Sequence, residues 1–269
     1  MKLEVLMSCM HQQDDGLVRS SRLTGDVVVI NQCNREDYCE YPTGNGTARM
    51  FSTRQRGLTK SRNMAIEQAA ADICLLCDDD EQFLPNYDAK ILSAYVQLPQ
   101  ADVIIFKITN RLPSFPDKIR RLRFPLTMKV SSWQISFRRQ SLLSSGIQFD
   151  ELLGAGTGNG AEEELKFLTD CEKAGLQIWY VPVEIASVAQ QESTWFSGYT
   201  ETFFENRGAT TRYILGPAAA YGYAVYYAIA KRPLYSESLP VGQALRATFR
   251  GIRENRIGKQ AQKAWEYSK

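Results

Sequence analysis

Apolar positions in the first half of the chain alternate between two rhythms. Short unbroken runs, "LEVLMS" (3–8), "DVVVINQ" (26–32), "DICLLCD" (72–78) and "ADVIIFKI" (101–108), read as buried strands. Between them, "LTKSRNMAIEQAAA" (58–71) and "LPNYDAKILSAYVQL" (84–98) place apolar residues at helical spacing; the first opens after Gly57 and the second carries Pro85 near its first turn. This alternation predicts an α/β fold with a mostly parallel sheet flanked by helices. The middle is less regular. Residues 110–125 hold three prolines and five basic residues and read as a loop. Residues 130–146 suggest a strand and then a helix. Residues 149–175 read as a glycine-rich loop feeding a helix that ends at Gly175, and 176–188 as a further strand.

The last third has a different texture, so the expected division is a domain at 1–190 and a helical extension at 191–269. "YILGPAAAYGYAVYYAIA" (213–230) has no charge over 18 residues. Pro217, two glycines and several tyrosines make it weakly hydrophobic, which favours a packed or interfacial helix over a membrane span. Farther on, Leu245, Phe249 and Ile252 recur at helical spacing beside Arg246, Arg250 and Arg253. Two readings stand open: a docked amphipathic helix with a solvated basic face, or a helix lying on an anionic membrane surface.

Composition narrows the class. The 269 residues suit one large domain or a domain with an appendage, and a net charge of +2 gives no global field that would draw nucleic acid. The "MKLEVLMSCM" start is too short and interrupted for a signal peptide. Six scattered cysteines read as reduced thiols of a cytoplasmic protein. Cys74 and Cys77 form a C-x-x-C, but three residues apart on a strand they face opposite sides, which suits a core better than a shared metal.

The chemistry gathers where strand 72–78 ends in Asp78, Asp79 and Asp80. In an open α/β sheet, ligands sit beyond the carboxyl ends of the strands. Adjacent carboxylates repel unless a cation joins them, and hard oxygen ligands select Mg²⁺ or Mn²⁺, whose shell substrate phosphates complete. On extended chain, Asp78 and Asp80 point the same way. Upstream, Gly57 lets backbone approach a ligand, and Lys60, Arg62 and Asn63 lie on the first turns of a helix, where free N–H groups favour phosphate. Downstream, "GAGTGNGAEEELKFL" holds Glu162, Glu163 and Glu164. Helix geometry turns Glu164 toward the apolar face and Glu163 and Glu162 away from it, with Glu162 able to pair with Lys166. A desolvated Glu164 would have a raised pKa and suit proton abstraction; the alternative is a glutamate capping its helix or paired with an arginine. Trp133 and Trp195 are candidates for stacking on a ligand ring, though core packing suits them better.

The ordered set "GLTKSRNMAI", "CDDDEQFLP", "FDELLGAGTGNGAEEELKFL" and "AGLQIWYVP" resembles glycosyltransferase family 2, over roughly residues 1–190. The resemblance implies a GT-A (Rossmann-like) fold. It also implies inverting transfer of a sugar from a nucleotide-diphosphate donor, a UDP-sugar, to a glycan or lipid-linked glycan acceptor in bacterial surface polysaccharide synthesis. It places Asp78 on the nucleotide side, Asp80 with Asp78 at a Mn²⁺ or Mg²⁺ ion, and Glu164, with Glu163 beside it, as the catalytic base. It draws Ser8, His11, Asn31, Gly57, Lys60, Arg62, Asn63 and Asp79 into nucleotide-sugar binding. Two departures stand out. Asn31 occupies the place of an acidic base-reading residue, and Gln190 or Gln191 stands where family members often carry a histidine. With the basic C-terminus, the resemblance suggests peripheral contact with the inner face of the cell membrane. The competing readings are a nucleotidyltransferase, against which "SCMHQQDDG" lacks the glycine-rich basic signature, and a non-catalytic partner subunit of a polysaccharide assembly. No G-x-x-x-x-G-K-[ST] occurs to support a P-loop kinase.

Overall fold

The computed structural model describes residues 1–111, 115–159, 162–189 and 198–267. Gln190, Gln191 and Trp195 lie outside them. Along the chain come β1 (Leu3–Met10), α1 (Gly16–Ser20), β2 (Asp26–Gln32), β3 (Asp37–Pro42), β4 (Thr47–Thr53) and α2 (Leu58–Gln68). They are followed by β5 (Ile73–Cys77), β6 (Glu81–Phe83), α3 (Tyr87–Gln97), β7 (Val103–Ile108), β8 (Arg120–Leu122), β9 (Ile135–Arg138) and α4 (Arg139–Ser145). Then come α5 (Glu163–Lys173), β10 (Ile178–Val188), α6 (Glu201–Leu215), α7 (Pro217–Ala230), the single turn α8 (Arg232–Tyr235), α9 (Val241–Glu254) and α10 (Arg256–Tyr267).

The chain divides into two units, one of residues Met1–Asp150 with Glu164–Gln191, the other of Glu151–Glu163 with Glu192–Lys269. The glycine-rich segment 151–163 groups with the C-terminal helices.

In the first unit the sheet order is β3-β4-β2-β1-β5-β9-β7-β10-β6, with β8 also on β10. The strands β1, β2, β4, β5, β7 and β10 run one way; β3, β6, β8 and β9 run the other. The α/β expectation of a mostly parallel sheet thus holds, with one amendment: β9 enters antiparallel between β5 and β7. Both faces of the sheet are covered, which explains the unbroken apolar runs of β2 and β5. Side-chain alternation sends Cys77 and Leu75 to one core cluster, and Cys74 and Leu76 to the other. The C-x-x-C is therefore two core thiols on opposite faces. All six cysteines are free, and all but Cys39 on β3 are buried.

The hairpin β3–β4 was not legible as strands, because β3 is an edge with mostly exposed side chains and weak apolar alternation. In the second unit, α7 starts later than the uncharged run, at Pro217. Gly216, at φ +81°, ends α6, and proline takes the first helical position after it. Helices α6 and α9 cross at two glycines. A methyl built on Gly208 would overlap the Thr248 carbonyl oxygen, and one on Gly251 would overlap that of Glu205. On α9, Ile252 is buried, Leu245 and Phe249 pack partly buried beside it, and Arg250 faces Glu201 and Glu205 of α6. The docked amphipathic reading therefore describes α9's apolar side.

Candidate active site

β5 ends at Cys77 because the next residues are three carboxylates that no apolar core would accept. The chain does not stay extended through them. Asp79 and Asp80 form a turn into β6, so the same-side alternation expected of Asp78 and Asp80 does not apply.

Asp78 is bound on both oxygens. Arg62 Nη2 donates to one at 3.0 Å, and Ser132 Oγ donates to the other at 2.6 Å. Arg62 is only 2 % exposed, and its Nη1 lies 3.6 Å from a Glu164 oxygen. Its guanidinium carbon stands 5.3 Å from the centre of the Phe149 ring. Arg62 therefore turns inward from α2 and joins two carboxylates. It does not offer itself to phosphate from the helix N-terminus, as its sequence position suggested. The cause is the packing of α2, which buries Thr59, Ser61, Arg62, Asn63, Ala65 and Ile66.

Asn63 follows the same rule. Its Nδ2 donates to the Phe149 carbonyl at 2.9 Å, and its Oδ1 accepts from the Phe149 N–H at 2.8 Å. One side chain thereby satisfies both main-chain groups of a residue that leads toward the glutamates. Ser61 Oγ donates to Ser8 Oγ at 2.8 Å, tying α2 to β1. Gly57 has φ +122°, where a side chain would be strained. Its N–H takes Gln32 Oε1 at 2.8 Å, and its carbonyl accepts from Ser61. Lys60, half-buried, is the basic residue of this helix start not turned into the core.

At the ends of β1 and β2, Asn31 is fully buried. Its Oδ1 accepts from the Gln12 N–H and its Nδ2 donates to the Gln12 carbonyl, each at 2.9 Å, and also to Ser52 Oγ at 3.1 Å. Its amide thus shapes the loop that carries His11, which is exposed at φ +57°. An Asn31 that presents its own amide to a nucleobase is not what these bonds describe.

The remaining acids differ in environment. Burial, and then the charge of Asp78, push the Asp79 and Asp80 carboxyls up from the ordinary aspartate value. Arg111 partly offsets this at Asp80. Glu81 is fully buried, and neither of its oxygens takes a hydrogen bond among the described residues. Burial, then Asp78 and Asp80, raise its pKa well above the ordinary value.

The helix-face ranking of the glutamates needs correction. Glu163 is the more buried at 5 % exposure, whereas the Glu164 side chain keeps 19 %. Helix α5 begins only at Glu163, so a face computed over a full helix does not govern this first turn. Glu164 faces a guanidinium, the arginine-paired alternative, and not an apolar wall. Glu162 lies before the helix at φ +73° and pairs with Arg207 at 2.8 Å, within the second unit. Lys166, its expected partner, instead meets Asp150 and Asp170. The segment before it is shaped by Gly154, Gly156 and Gly158, all at positive φ, and fixed by Asn159 Nδ2, which donates to the Leu152 carbonyl and to Gln260 Oε1.

Three contributors were missed. Ser132 had a signal, since "SSWQ" (131–134) fits a capping box and the Ser131 N–H donates to Gln134 Oε1 at 3.2 Å. Phe149 acts through its backbone and ring, and Arg111 through distance; neither leaves a mark in a pattern.

Among the described residues no three His, Cys, Asp or Glu side chains are grouped to cage a metal. Each Asp78 oxygen accepts one hydrogen bond, and Asp79 and Asp80 stand in the turn just beyond it.

A mixed sheet with this order, covered by helices and carrying its acids at the end of a central strand, defines a GT-A fold. The family resemblance holds by sequence as well: residues 27–153 match the model of glycosyl transferase family 2. Glu163 and Glu164 lie beyond that stretch. A search of curated proteins finds no match. Among solved structures, the chain is similar to S. aureus TarS 1-349 in complex with UDP, with a TM-score of 0.59, 17% identity, and 96% of this chain and 82% of that one covered. The same fragment in complex with UDP-GlcNAc gives a TM-score of 0.58 and 16% identity over 98% and 92% of the two chains. Against the longer TarS structure, this chain covers 39% of its length, with a TM-score of 0.52 and 17% identity over 78% of this chain.

Proposed function

We propose that this chain is an inverting glycosyltransferase that moves a sugar from a nucleoside-diphosphate donor to an acceptor hydroxyl. The observation that carries the reading is the Asp78–Arg62–Glu164 chain, which holds the acids of the donor side and the base side on one buried guanidinium. Asp78, locked by Arg62 and Ser132, orients the donor end. Ser8, His11 and Gly57, at the strand and helix ends, line the approach of the nucleotide, and Lys60 supplies positive charge to the diphosphate.

Asp80, with Asp79, would hold Mn²⁺ or Mg²⁺, which when bound offsets charge on the departing diphosphate. The acceptor oxygen forms its bond to the anomeric carbon as the bond from that carbon to the diphosphate oxygen breaks. The acceptor proton passes to the Glu164 carboxylate, and the nucleoside diphosphate leaves with the electron pair. Attack from the face opposite the leaving group inverts the centre, with no covalent enzyme intermediate. A UDP-sugar is the donor to try first, since the similar TarS fragment binds UDP-GlcNAc. The acceptor is a glycan or lipid-linked glycan of a bacterial surface polysaccharide, reached from the inner face of the membrane.

A donor panel tests this. UDP-, GDP- and dTDP-sugars are added with Mn²⁺ or with chelator while thermal unfolding is followed. A donor at a hundred times its Kd stabilises by about 2.7 kcal/mol. A metal-dependent shift with one nucleotide and release of that nucleotide on turnover support the reading. Stabilisation without turnover on any acceptor would favour a non-catalytic partner subunit.

A further inference from the structure

The outward face of α7 is apolar from end to end. Ala218, Gly222, Val225, Tyr226 and Ile229 follow one another at helical spacing, and all are exposed, Ile229 at 69 %. The opposite face, with Ala220, Ala224 and Tyr227, is already buried against its own unit. Leu234 of α8 extends the exposed set, and Lys231, between the two helices, and Arg232, which opens α8, are both exposed. A groove of about 580 Å³ adjoins them, walled by Ala228, Ile229, Pro240 and Val241, with the Arg232 side chain among its lining. Water is a poor partner for such a face.

Charge selects the occupant. Residues 217–235, which hold α7, α8 and the link between them, contain two basic residues, Lys231 and Arg232, both exposed, and no acid, although the whole chain is only +2. A second copy docked about a two-fold axis would set Lys231 and Arg232 against their own images with no acid from 217–235 to meet them. At 14 residues α7 is about 21 Å long, short of the roughly 30 Å hydrocarbon core, and no helix among the described residues is long and apolar enough to span it. A face of this length that meets a bilayer does so without crossing it.

We infer that the α7–α8 face docks on an anionic phospholipid bilayer: Val225, Tyr226, Ile229 and Leu234 enter the headgroup boundary, and Lys231 and Arg232 meet lipid phosphates. This deepens the membrane-side part of the proposed function. It needs no sugar transfer, so the two can fail separately.

The test is co-sedimentation of the full chain with vesicles of phosphatidylcholine alone or mixed with phosphatidylglycerol, alongside donor turnover in solution. Binding should require the anionic lipid and weaken with salt. Ile229→Asp, a change at an exposed position, and the double variant Lys231→Glu/Arg232→Glu should each weaken binding about tenfold or more. Both should keep the wild-type melting profile and solution turnover. Full vesicle binding by either variant overturns the inference, as does no binding by the wild-type chain. Self-association that Ile229→Asp abolishes, without vesicle binding, would make the face a contact between copies and overturn it too.

Discussion

Arg62 Nη2 sits 3.0 Å from Asp78 Oδ1, inside a helix whose pattern announced a phosphate-facing cation. The same guanidinium lies 3.6 Å from Glu164, so one buried cation sets the position of two acids far apart in sequence. Removing it leaves both without their shared partner. Arg62→Ala should destabilise the chain by about 3–5 kcal/mol, the range for breaking a buried ion pair. Arg62→Lys should recover part of the stability but little of the turnover, because one ammonium cannot reproduce a two-ended guanidinium. Urea unfolding and donor turnover on the same samples separate the two effects.

Glu164→Gln should leave donor binding near wild type and lower transfer about 100- to 10,000-fold, the usual worth of a general base. Glu163→Gln is the paired control. Isothermal titration with a donor and single-turnover transfer measure the two halves. Transfer retained in Glu164→Gln but lost in Glu163→Gln would move the base to Glu163.

Glu81 affects stability through pH. Its folded pKa is raised above that of the unfolded chain, so the native state holds the proton more tightly. The unfolded form titrates at about 4.3. Stability from this group is therefore full below that value and falls as pH climbs from there to the folded pKa. Glu81→Gln keeps the shape and removes the titration. It should be more stable than wild type at neutral pH and should flatten the decline above about pH 4.3. Melting temperatures across pH 4 to 8, without metal, test this; a variant with an unchanged slope would refute it.

The α6–α9 crossing predicts a local effect of the smallest substitution. Gly208→Ala or Gly251→Ala forces a methyl into a facing carbonyl, so the helices must separate. Each should cost about 1–3 kcal/mol, as overpacking does, and leave donor affinity at the first unit's site unchanged. Gly242→Ala, on α9 with open space around it, should cost nothing by this route. Denaturant midpoints for the three variants decide it.

The central strands and α2 could be read in the sequence because burial on both sheet faces writes itself as unbroken apolar runs, as in "VVVI" of β2 and "ICLLC" of β5. Edge strand β3 could not, since an exposed edge imposes no such pattern. The carboxylates at the end of β5 and the glutamates at the start of α5 were visible as residue types. Their partners were not. Arg62, Asn63 and Asn31 look like ligand-binding groups in one dimension, yet folding commits each to a distant main-chain or acidic group. The order of burial at Glu163 and Glu164 depended on where α5 begins, a boundary whose shift by a single residue reverses it.

The cysteines bear on how the molecule can be handled. Burial drives the Cys9 and Cys74 thiols to about 12 and pushes Cys77 and Cys171 up as well, while Cys33 is closed off by burial. Only Cys39, on the edge strand β3, meets solvent. A maleimide dye added to the native, unmutated chain should therefore attach at one place. It would give a fluorescent reporter on the rim of the sheet, without engineering a single thiol in or out.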